Sequence, residues 1–152
     1  MITVSDRSAA GLAEDRSGPK VAELLQAAGL EIASRVTVPD EVDRIRAELR
    51  EATEDLVVTT GGTGLGPRDV TPQATLAEVD YEVPGLAEEM RRAGRESTPA
   101  AVLSRGVAGV RSRTLILNLP GSERGATESL RALLPVLPHA LDLLAGETAH
   151  RA

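Results

Sequence analysis

The chain has no cysteine, phenylalanine or tryptophan among its 152 residues, and Tyr81 is its one aromatic side chain. Without cysteine it has no disulfide, no zinc–thiolate site and no thiol nucleophile, which is compatible with a reducing cytoplasm. Without aromatic platforms, base stacking is excluded as a main way of binding nucleic acid. A basic block is also lacking and the formal net charge is −6, so neutralisation of nucleic-acid phosphates contributes little.

Long apolar runs are missing as well. No segment approaches the roughly 18 apolar residues of a membrane helix. The opening "MITVSDRS" lacks the basic start and apolar core of a signal peptide. We therefore expect a soluble cytoplasmic protein with no membrane partner, forming one domain over residues 1–152. Because the chain begins almost inside a strand, "ITVS", we also expect that residues before Met1 are missing.

Apolar residues alternate between short β-branched runs and helical spacing, which predicts an α/β domain. The predicted strands are residues 2–5, 31–39, 55–60, 107–110 and 114–120, and the predicted helices are 19–29, 42–49, 71–79, 83–97, 98–105 and two pieces within 126–146. The last two strands could form a hairpin, so we expect a mostly parallel but mixed sheet. One compact three-layer α/β/α domain is the predicted fold class, with Thr71 capping a helix that Pro72 opens.

A glycine-rich loop, "GGTGLGPRD", follows the strand at 55–60. Gly61, Gly62 and Gly64 are expected to adopt positive φ and to expose backbone N–H groups to an anion, with Thr63 adding a hydroxyl. The helix beginning near Thr71 directs its positive end to the same neighbourhood. The lysine of a P-loop is absent. A tight turn with no ligand is the structural alternative.

Two aspartates follow predicted strand ends, Asp40 and Asp69. Together they could hold Mg²⁺, which prefers oxygen ligands and arrives with substrate phosphates. Asp40 could instead cap the helix that follows Pro39, in a weak capping box with Asp43. Asp69 could be a surface acid paired with Arg68, or an accessory cap.

Two further loops repeat the pattern of a strand followed by polar residues. The first carries Ser5, Asp6 and Arg7, and the second carries Asn118, Pro120, Gly121 and Ser122 before a helix. Each could be a plain turn, but three such loops at the carboxyl edge of one sheet would outline a pocket. Ser104 with Arg105 could bind an anion or form a solvated helix end.

Three other features are interpreted as structural or incidental and not as parts of a functional site. His139 lies in an apolar helix and His150 in the tail, and neither has a partner at metal-ligand spacing. The run "AEEMRRAGRE" is interpreted as a solvated helix face.

The order and spacing of these motifs resemble those of a known protein family. The chain resembles the molybdenum-cofactor biosynthesis proteins of the MogA/MoaB type in the order and spacing of "ITVSDR", "VPDE", "TTGGTGLGPRDVTPQAT", "VPGLAEEMR", "AVLSR" and "LILNLPGS". Its closing "LPVLPHALDLL" is similar to the end of the gephyrin G domain. The glycine motif is also related to those of MoeA-type and CinA-like proteins.

This resemblance implies a MoaB/Mog-like fold, usually a homotrimer, that binds molybdopterin and passes its product to a MoeA-type insertion enzyme. In the adenylyltransferase branch, AMP is transferred from ATP to the terminal phosphate of molybdopterin with Mg²⁺. Asp40 and Asp69 match the two functional aspartates of that branch. The implied nucleotide and pterin residues are Ser5, Asp6, Gly61, Gly62, Thr63, Gly64, Thr71, Ser104, Pro120, Gly121 and Ser122. The first strand is short and "GSERG" is less basic than in relatives.

Two other functions stay open from the sequence. A MoaB-like protein would bind molybdopterin or a purine nucleotide without efficient turnover. A trimeric scaffold, as in gephyrin, is the third possibility, and the lack of a linker in 152 residues argues against it.

Overall fold

A computed structural model describes residues 1–147. The strands are β1 (Ile2–Val4), β2 (Val36–Val38), β3 (Leu56–Thr60), β4 (Tyr81–Glu82), β5 (Ala108–Arg111) and β6 (Thr114–Leu119). They form one sheet in the order β2-β1-β3-β6-β5-β4. The first four strands in that order are parallel, whereas β5 runs antiparallel to β6 and β4 antiparallel to β5. The predicted hairpin and mixed sheet are confirmed.

Helices cover both faces of this sheet. They are α1 (Asp6–Ala9), α2 (Ser17–Ala27), α3 (Val42–Glu51), α4 (Thr71–Glu78), α5 (Pro84–Arg95), α6 (Glu123–Leu133) and α7 (Leu137–Ala145), with a 3₁₀ helix at Pro99–Leu103. Leu115, Leu117 and Leu119 of β6 join α2, α5, α6 and α7 in one buried cluster, while Ile116 joins α3 and α4 in another. This alternation follows the two-residue period of a strand. The three-layer α/β/α fold class is confirmed.

One predicted strand is shorter in the structure, and two elements are present that the sequence did not predict. The strand predicted at 31–39 is reduced to Val36–Val38, because β1, the strand that it pairs with, is itself three residues long. The pair Tyr81–Glu82 forms an exposed edge strand that becomes recognisable only through its pairing with β5. The polar stretch after β1 contains the four-residue helix α1, whose first turn is capped by the hydroxyl of Ser5, which accepts from the Ser8 N–H at 3.1 Å.

The carboxyl-terminal pair of helices is divided at residues 134–136. Pro135 lies in this break as predicted, but Pro138 lies in the first turn of α7, where a missing N–H costs little. Gly146 ends α7 with φ +88°, as predicted. His139 lies exposed on α7, and His150 lies outside the described residues. In the part of the chain that the structure covers, no helix combines the length and apolar character needed to cross a membrane.

A cluster of charged residues at Glu78 ties α4 to α3. The Glu78 side chain is 7% exposed, and its Oε1 accepts hydrogen bonds from Arg46 and Arg50 at 2.7 Å each. Arg111 of β5 approaches its other oxygen at 3.9 Å. The hydrogen bonds from Arg50 and Arg46 lower the pKa of Glu78 to about 2.

The low pKa of Glu78 gives a specific pH dependence of stability. The pKa falls from 4.5 in the unfolded chain to about 2 in the fold, so the contribution is complete above pH about 4.5 and lost as the pH falls through about 2. We expect Glu78→Gln to lower the free energy of unfolding at pH 7 by roughly 2 kcal/mol, since the arginines are partly exposed. Denaturant titrations at pH 7 and pH 3 should show the difference falling to less than half.

The matched control is Glu89→Gln. Glu89 pairs with Arg92 on the surface of one helix, so its loss should leave the unfolding free energy nearly unchanged. Stability curves of Glu78→Gln and the unmodified protein that run parallel between pH 7 and pH 3 would contradict the assignment.

Candidate functional site

The three polar loops meet at one edge of the sheet. Because β1, β3 and β6 are parallel neighbours, their carboxyl ends point the same way and the loops that follow lie side by side. Gly121 lies so near the glycine loop that an added Cβ would be 3.2 Å from the Cα of Gly61. The convergence inferred from the sequence is therefore present in the fold.

Gly61 and Gly62 adopt the positive φ values that the sequence predicts, +95° and +69°. An added Cβ at Gly61 would lie 2.2 Å from the carbonyl oxygen of Val4, so the loop passes directly against β1. Gly64 was expected to have positive φ as well, and this is wrong. An added Cβ at Gly64 would lie 2.9 Å from Oδ2 of Asp69, so a larger residue there would displace the end of that side chain.

The loop's carbonyl and amide groups are used differently. The carbonyls of Gly62, Thr63 and Gly64 accept hydrogen bonds from Thr71 N, Arg105 N and Arg105 Nε at 3.1, 2.8 and 2.9 Å. The N–H groups of residues 62–65 make no hydrogen bond within residues 1–147. Successive free N–H groups in a turn are the donors from which anion-binding concavities are built. The loop is thus held by its acceptors while its donors stay available.

Arg105 is the main clamp of the loop. Its guanidinium also donates to the Asp69 carbonyl at 2.7 Å and to Oε1 of Gln73 at 3.2 Å. The sequence offered an anion site or a solvated helix end for Ser104 with Arg105, and the structure adds a third role, because Arg105 bonds the backbone of the glycine loop. Its donors are taken by backbone carbonyls 36 and 41 residues away, contacts that no local pattern predicts.

Thr71 has a different role from the predicted cap. The helix α4 is preceded by Val70, which makes no side-chain capping bond, and Thr71 is its first residue. The Thr71 hydroxyl donates to the Gly61 carbonyl at 2.8 Å. This buried bond joins the two ends of the loop. Pro72 does lie in the first turn of α4, as predicted.

Asp40 and Asp6 exchange hydrogen bonds across the loops after β2 and β1. The Asp6 N–H donates to Oδ2 of Asp40 at 2.8 Å, and the Asp40 N–H donates to Oδ1 of Asp6 at 2.9 Å. Asp40 therefore does not cap α3, whose N-cap is Glu41; that alternative is wrong. Arg68 pairs with Asp6 through two bonds of 2.9 Å, so Arg68 is not the partner of Asp69.

Asp69 lies at the junction of two cavities. Its Oδ2 accepts from the Gly66 N–H at 2.9 Å, which fixes the side chain within the loop. A cavity of about 540 Å³, the polar cavity, is lined by Ser5, Asp40 and Gly61 among others. A second of about 460 Å³, the apolar cavity, is lined by Thr63, Gly64, Ser104, Pro120 and Ser122 with apolar residues of α5. Both cavities share Gly62, Asp69 and Gly121.

Two of the predicted residues support this arrangement without lining either cavity. Asp6 and Thr71 belong to neither lining. Ser122 lines the apolar cavity and also caps α6, accepting from the Gly125 N–H at 3.1 Å. Both aspartates that the sequence singled out line the polar cavity. The structure thus brings Asp40 and Asp69 to one site.

The polar cavity is strongly acidic. Its lining includes five carboxylates and two arginines, namely Glu14, Asp15, Asp40, Asp69 and Glu123 against Arg7 and Arg16. Burial, and then the charges of Asp6 and Asp69, raise the pKa of Asp40. A cation bound there would relieve this unfavourable negative potential.

The donor set fits Mg²⁺ that arrives with a substrate. No group of three or more His, Cys, Asp or Glu able to hold a metal occurs among the residues that the structure describes. Two carboxylates with phosphate oxygens and water are a common Mg²⁺ environment. Asp40 and Asp69 fit that pattern, whereas a metal cage built wholly from side chains is not present in residues 1–147.

Asp15 and Ser17 are site residues that sequence reasoning missed. Asp15 accepts from Thr3 Oγ1 at 2.6 Å and from the Gly18 N–H at 2.9 Å, and Ser17 Oγ donates to Thr60 Oγ1 at 3.2 Å. These bonds fasten α2 to β1 and β3 beside the polar cavity. An available signal was "DRSGP", an acid followed by a helix start two residues later.

Comparison with known proteins decides the family. A family model described as "Probable molybdopterin binding domain" matches residues 1–139. The chain belongs to this molybdopterin-binding family. The recognition of a MogA/MoaB-type protein of molybdenum-cofactor biosynthesis is thereby confirmed.

Named relatives and solved structures extend this result. The chain is 43% identical to the molybdenum cofactor biosynthesis bifunctional protein of Synechococcus elongatus over 96% of this chain. The match spans about half, 47%, of the length of that relative. It is 40% identical to the molybdopterin adenylyltransferase of Helicobacter pylori, over 96% of this chain and 86% of that one. The structure of the molybdopterin biosynthesis enzyme MoaB from Thermus thermophilus is similar with a TM-score of 0.90 and 54% identity, covering 95% and 94% of the two chains.

The close passage of the glycine loop against β1 can be tested with two alanine substitutions. Gly61→Ala and Gly29→Ala both place alanine at a similar positive φ, +95° and +85°, which costs about 1–2 kcal/mol. Gly29 faces open space, whereas Gly61 faces the Val4 carbonyl. We expect Gly61→Ala to lower the free energy of unfolding by at least about 2 kcal/mol more than Gly29→Ala. Equal losses in denaturant unfolding would show that contact with Val4 does not impose glycine at position 61.

Proposed function

We propose that the chain is a molybdopterin adenylyltransferase, which transfers AMP from ATP to the terminal phosphate of molybdopterin and releases pyrophosphate. The observation that carries this proposal is the pair of cavities sharing Asp69, Gly62 and Gly121. A reaction between two phosphorylated molecules needs two binding sites that adjoin where the phosphates react. Relatives about 40% identical bear the name molybdopterin adenylyltransferase, which supports the same reaction.

The character of each cavity supports one assignment of the substrates. The apolar cavity, with Ala87, Met90 and Leu103 in its lining, suits a flat pterin ring. Because the chain has one aromatic residue, the ring would be held by aliphatic contacts, backbone groups and the hydroxyls of Ser104 and Ser122. The acidic polar cavity suits a nucleotide whose phosphate charge is balanced by Mg²⁺.

The chemistry requires no covalent protein nucleophile. An oxygen of the pterin phosphate attacks the α-phosphorus of ATP, the new P–O bond forms, and the bond to the β-phosphate breaks to release pyrophosphate. The free N–H groups of residues 62–65 would bind phosphate oxygens at the junction and stabilise their negative charge. Asp40 and Asp69 would hold Mg²⁺, which would supply positive charge to balance that of the leaving pyrophosphate.

A MoaB-like binding protein without efficient turnover is the second candidate. The 54% identity to the Thermus thermophilus MoaB structure, against about 40% for the named adenylyltransferases, favours the MoaB type, although that relative is itself called an enzyme and so does not decide the question of turnover. Both candidates use the same two cavities. Incubation of the purified protein with molybdopterin, Mg²⁺ and ATP separates them, because only the enzyme releases pyrophosphate and forms adenylylated pterin.

Two partner assignments belong to the same proposal. We assign a homotrimer and hand-over of the adenylylated product to a MoeA-type insertion enzyme, on the resemblance to the MogA/MoaB type. The bifunctional Synechococcus relative, of which this chain matches 47%, supports the hand-over. That relative is called bifunctional, which fits a second step of the same biosynthesis being carried out by the part of the protein that this chain does not match.

Substitution of either aspartate should separate catalysis from folding. We expect Asp69→Asn and Asp40→Asn each to lower turnover by at least about 10²-fold, since the loss of one preorganised electrostatic group typically costs on the order of 10²–10³. Asparagine retains an acceptor oxygen for the N–H groups of Gly66 and Asp6, so the fold should survive. Pyrophosphate release and thermal unfolding measure the two effects.

Asp43→Asn is the matched control. Asp43 is exposed in the first turn of α3, three residues after Asp40, and its substitution makes the same change in charge. It should retain full turnover. Full activity of Asp69→Asn would remove that carboxylate from the mechanism.

Removal of Mg²⁺ should weaken the binding of the nucleotide more than the binding of the pterin. With EDTA we expect pyrophosphate release to stop and ATP binding to weaken by at least about tenfold, because five carboxylates line the polar cavity and repel unneutralised phosphates. Pterin binding in the apolar cavity should change by less than about threefold. Calorimetric titrations of ATP and pterin with and without EDTA give both values, and ATP affinity that is unaffected by EDTA would contradict the assignment.

A further inference from the structure

Arg91 is a cation that the described part of the chain leaves without an acidic partner. Its Nη1 donates to the carbonyls of Ser104 and Gly106 at 3.3 and 3.2 Å. None of the ion pairs within residues 1–147 includes Arg91. Both acceptors are neutral carbonyls. No carboxylate within residues 1–147 therefore forms an ion pair that compensates the positive charge of Arg91, although the protein has a net charge of −6.

The position of Arg91 directs this charge to the apolar cavity. Arg91 lines that cavity together with Ala87, Met90 and Gly94 of α5, which lie on one helical face. The sequence had assigned this run to a solvated face. Arg92 is exposed as expected, whereas Glu89 and Arg91 are half-buried, and of these two Arg91 lines the cavity.

The other cation in the same lining is already neutralised. Arg124 pairs with Glu128 at 2.8 Å, and both line the apolar cavity. Arg91 is therefore the arginine there that remains uncompensated within the described residues. Apolar neighbours also reduce competition from water, which strengthens its attraction for an anion.

Arg91 has donors to spare. A guanidinium carries five N–H groups, and the two carbonyls occupy those of Nη1. Nε and Nη2 make no hydrogen bond with any residue that the structure describes, and no buried side-chain nitrogen there lacks a partner. These donors therefore face accessible space, in the planar arrangement that binds a phosphate through two parallel bonds.

A purely structural role would use Arg91 only to hold the turn at Ser104–Gly106. That role accounts for Nη1 but leaves Nε, Nη2 and the uncompensated charge unexplained. From this contrast we infer that Arg91 is the anion-binding residue of the apolar cavity and holds a phosphomonoester group of its ligand. This inference rests on the proposed function, in which that group is the terminal phosphate of the pterin substrate.

The test compares two fluorescent ligands, a phosphorylated 6-alkylpterin and its dephosphorylated counterpart. The unmodified protein should bind the phosphorylated pterin about 10- to 100-fold more tightly, the range of a charge-assisted hydrogen-bonded pair. Arg91→Gln should reduce this preference to about threefold or less and leave the affinity for the dephosphorylated pterin unchanged. Arg91→Lys should restore part of the preference. Titrations followed by fluorescence give each dissociation constant.

Arg95→Gln is the matched control, because Arg95 is exposed at the end of the same helix, lies outside the cavity lining and undergoes the same change in charge. It should keep the full preference. Equal weakening of both pterins by Arg91→Gln would make Arg91 a structural clamp and overturn the inference. A preference for phosphate that survives in Arg91→Gln, or no preference in the unmodified protein, would overturn it too.

Failure of the proposed function gives a different result. If the unmodified protein binds neither pterin, the pterin assignment fails, and inorganic phosphate then decides the role of Arg91. Thermal stabilisation by phosphate that is lost in Arg91→Gln and kept in Arg95→Gln would support an anion site. Identical stabilisation of all three proteins would exclude it.

Discussion

The parallel pairing of β3 with β1 and β6 is the constraint on which the candidate site depends. Thr59 and Thr60 lie opposite Ile2 and Thr3 on one side and Asn118 and Leu119 on the other, so the three strands end level with one another. Their following loops must therefore share one edge. At that edge Gly61 runs against the Val4 carbonyl and Gly121 against Gly61, which leaves space for backbone alone.

The glycine loop shows how a flexible segment is made rigid without losing its binding groups. Arg105 and Thr71 take the loop's carbonyl oxygens, and the N–H groups of residues 62–65 stay free of partners within the described chain. Had these contacts used the N–H groups instead, the loop would be equally ordered but unable to bind an anion. Preorganised donors of this kind lose little entropy when a charged ligand arrives.

Charge is distributed unevenly around Asp69. On one side the polar cavity concentrates carboxylates, and burial raises the pKa of Asp40, which favours a bound cation. On the other side the apolar cavity presents Arg91, held by neutral carbonyls. A nucleotide with Mg²⁺ and a phosphorylated pterin are complementary to these two environments. Their shared boundary at Asp69 is where an adenylyl transfer between them would take place.

Local sequence patterns are enough to predict the α/β class, the positions of most strands and helices, the glycine loop and its two aspartates. These follow from hydrophobic period and from turn chemistry, which act over a few neighbouring residues. Three features of the site become visible in the folded protein alone: Asp40 bonds Asp6, Arg105 clamps the loop, and Arg91 lines a cavity. Each of those contacts joins residues 13 to 41 positions apart, and which distant partner a polar side chain reaches depends on how the helices pack on the sheet.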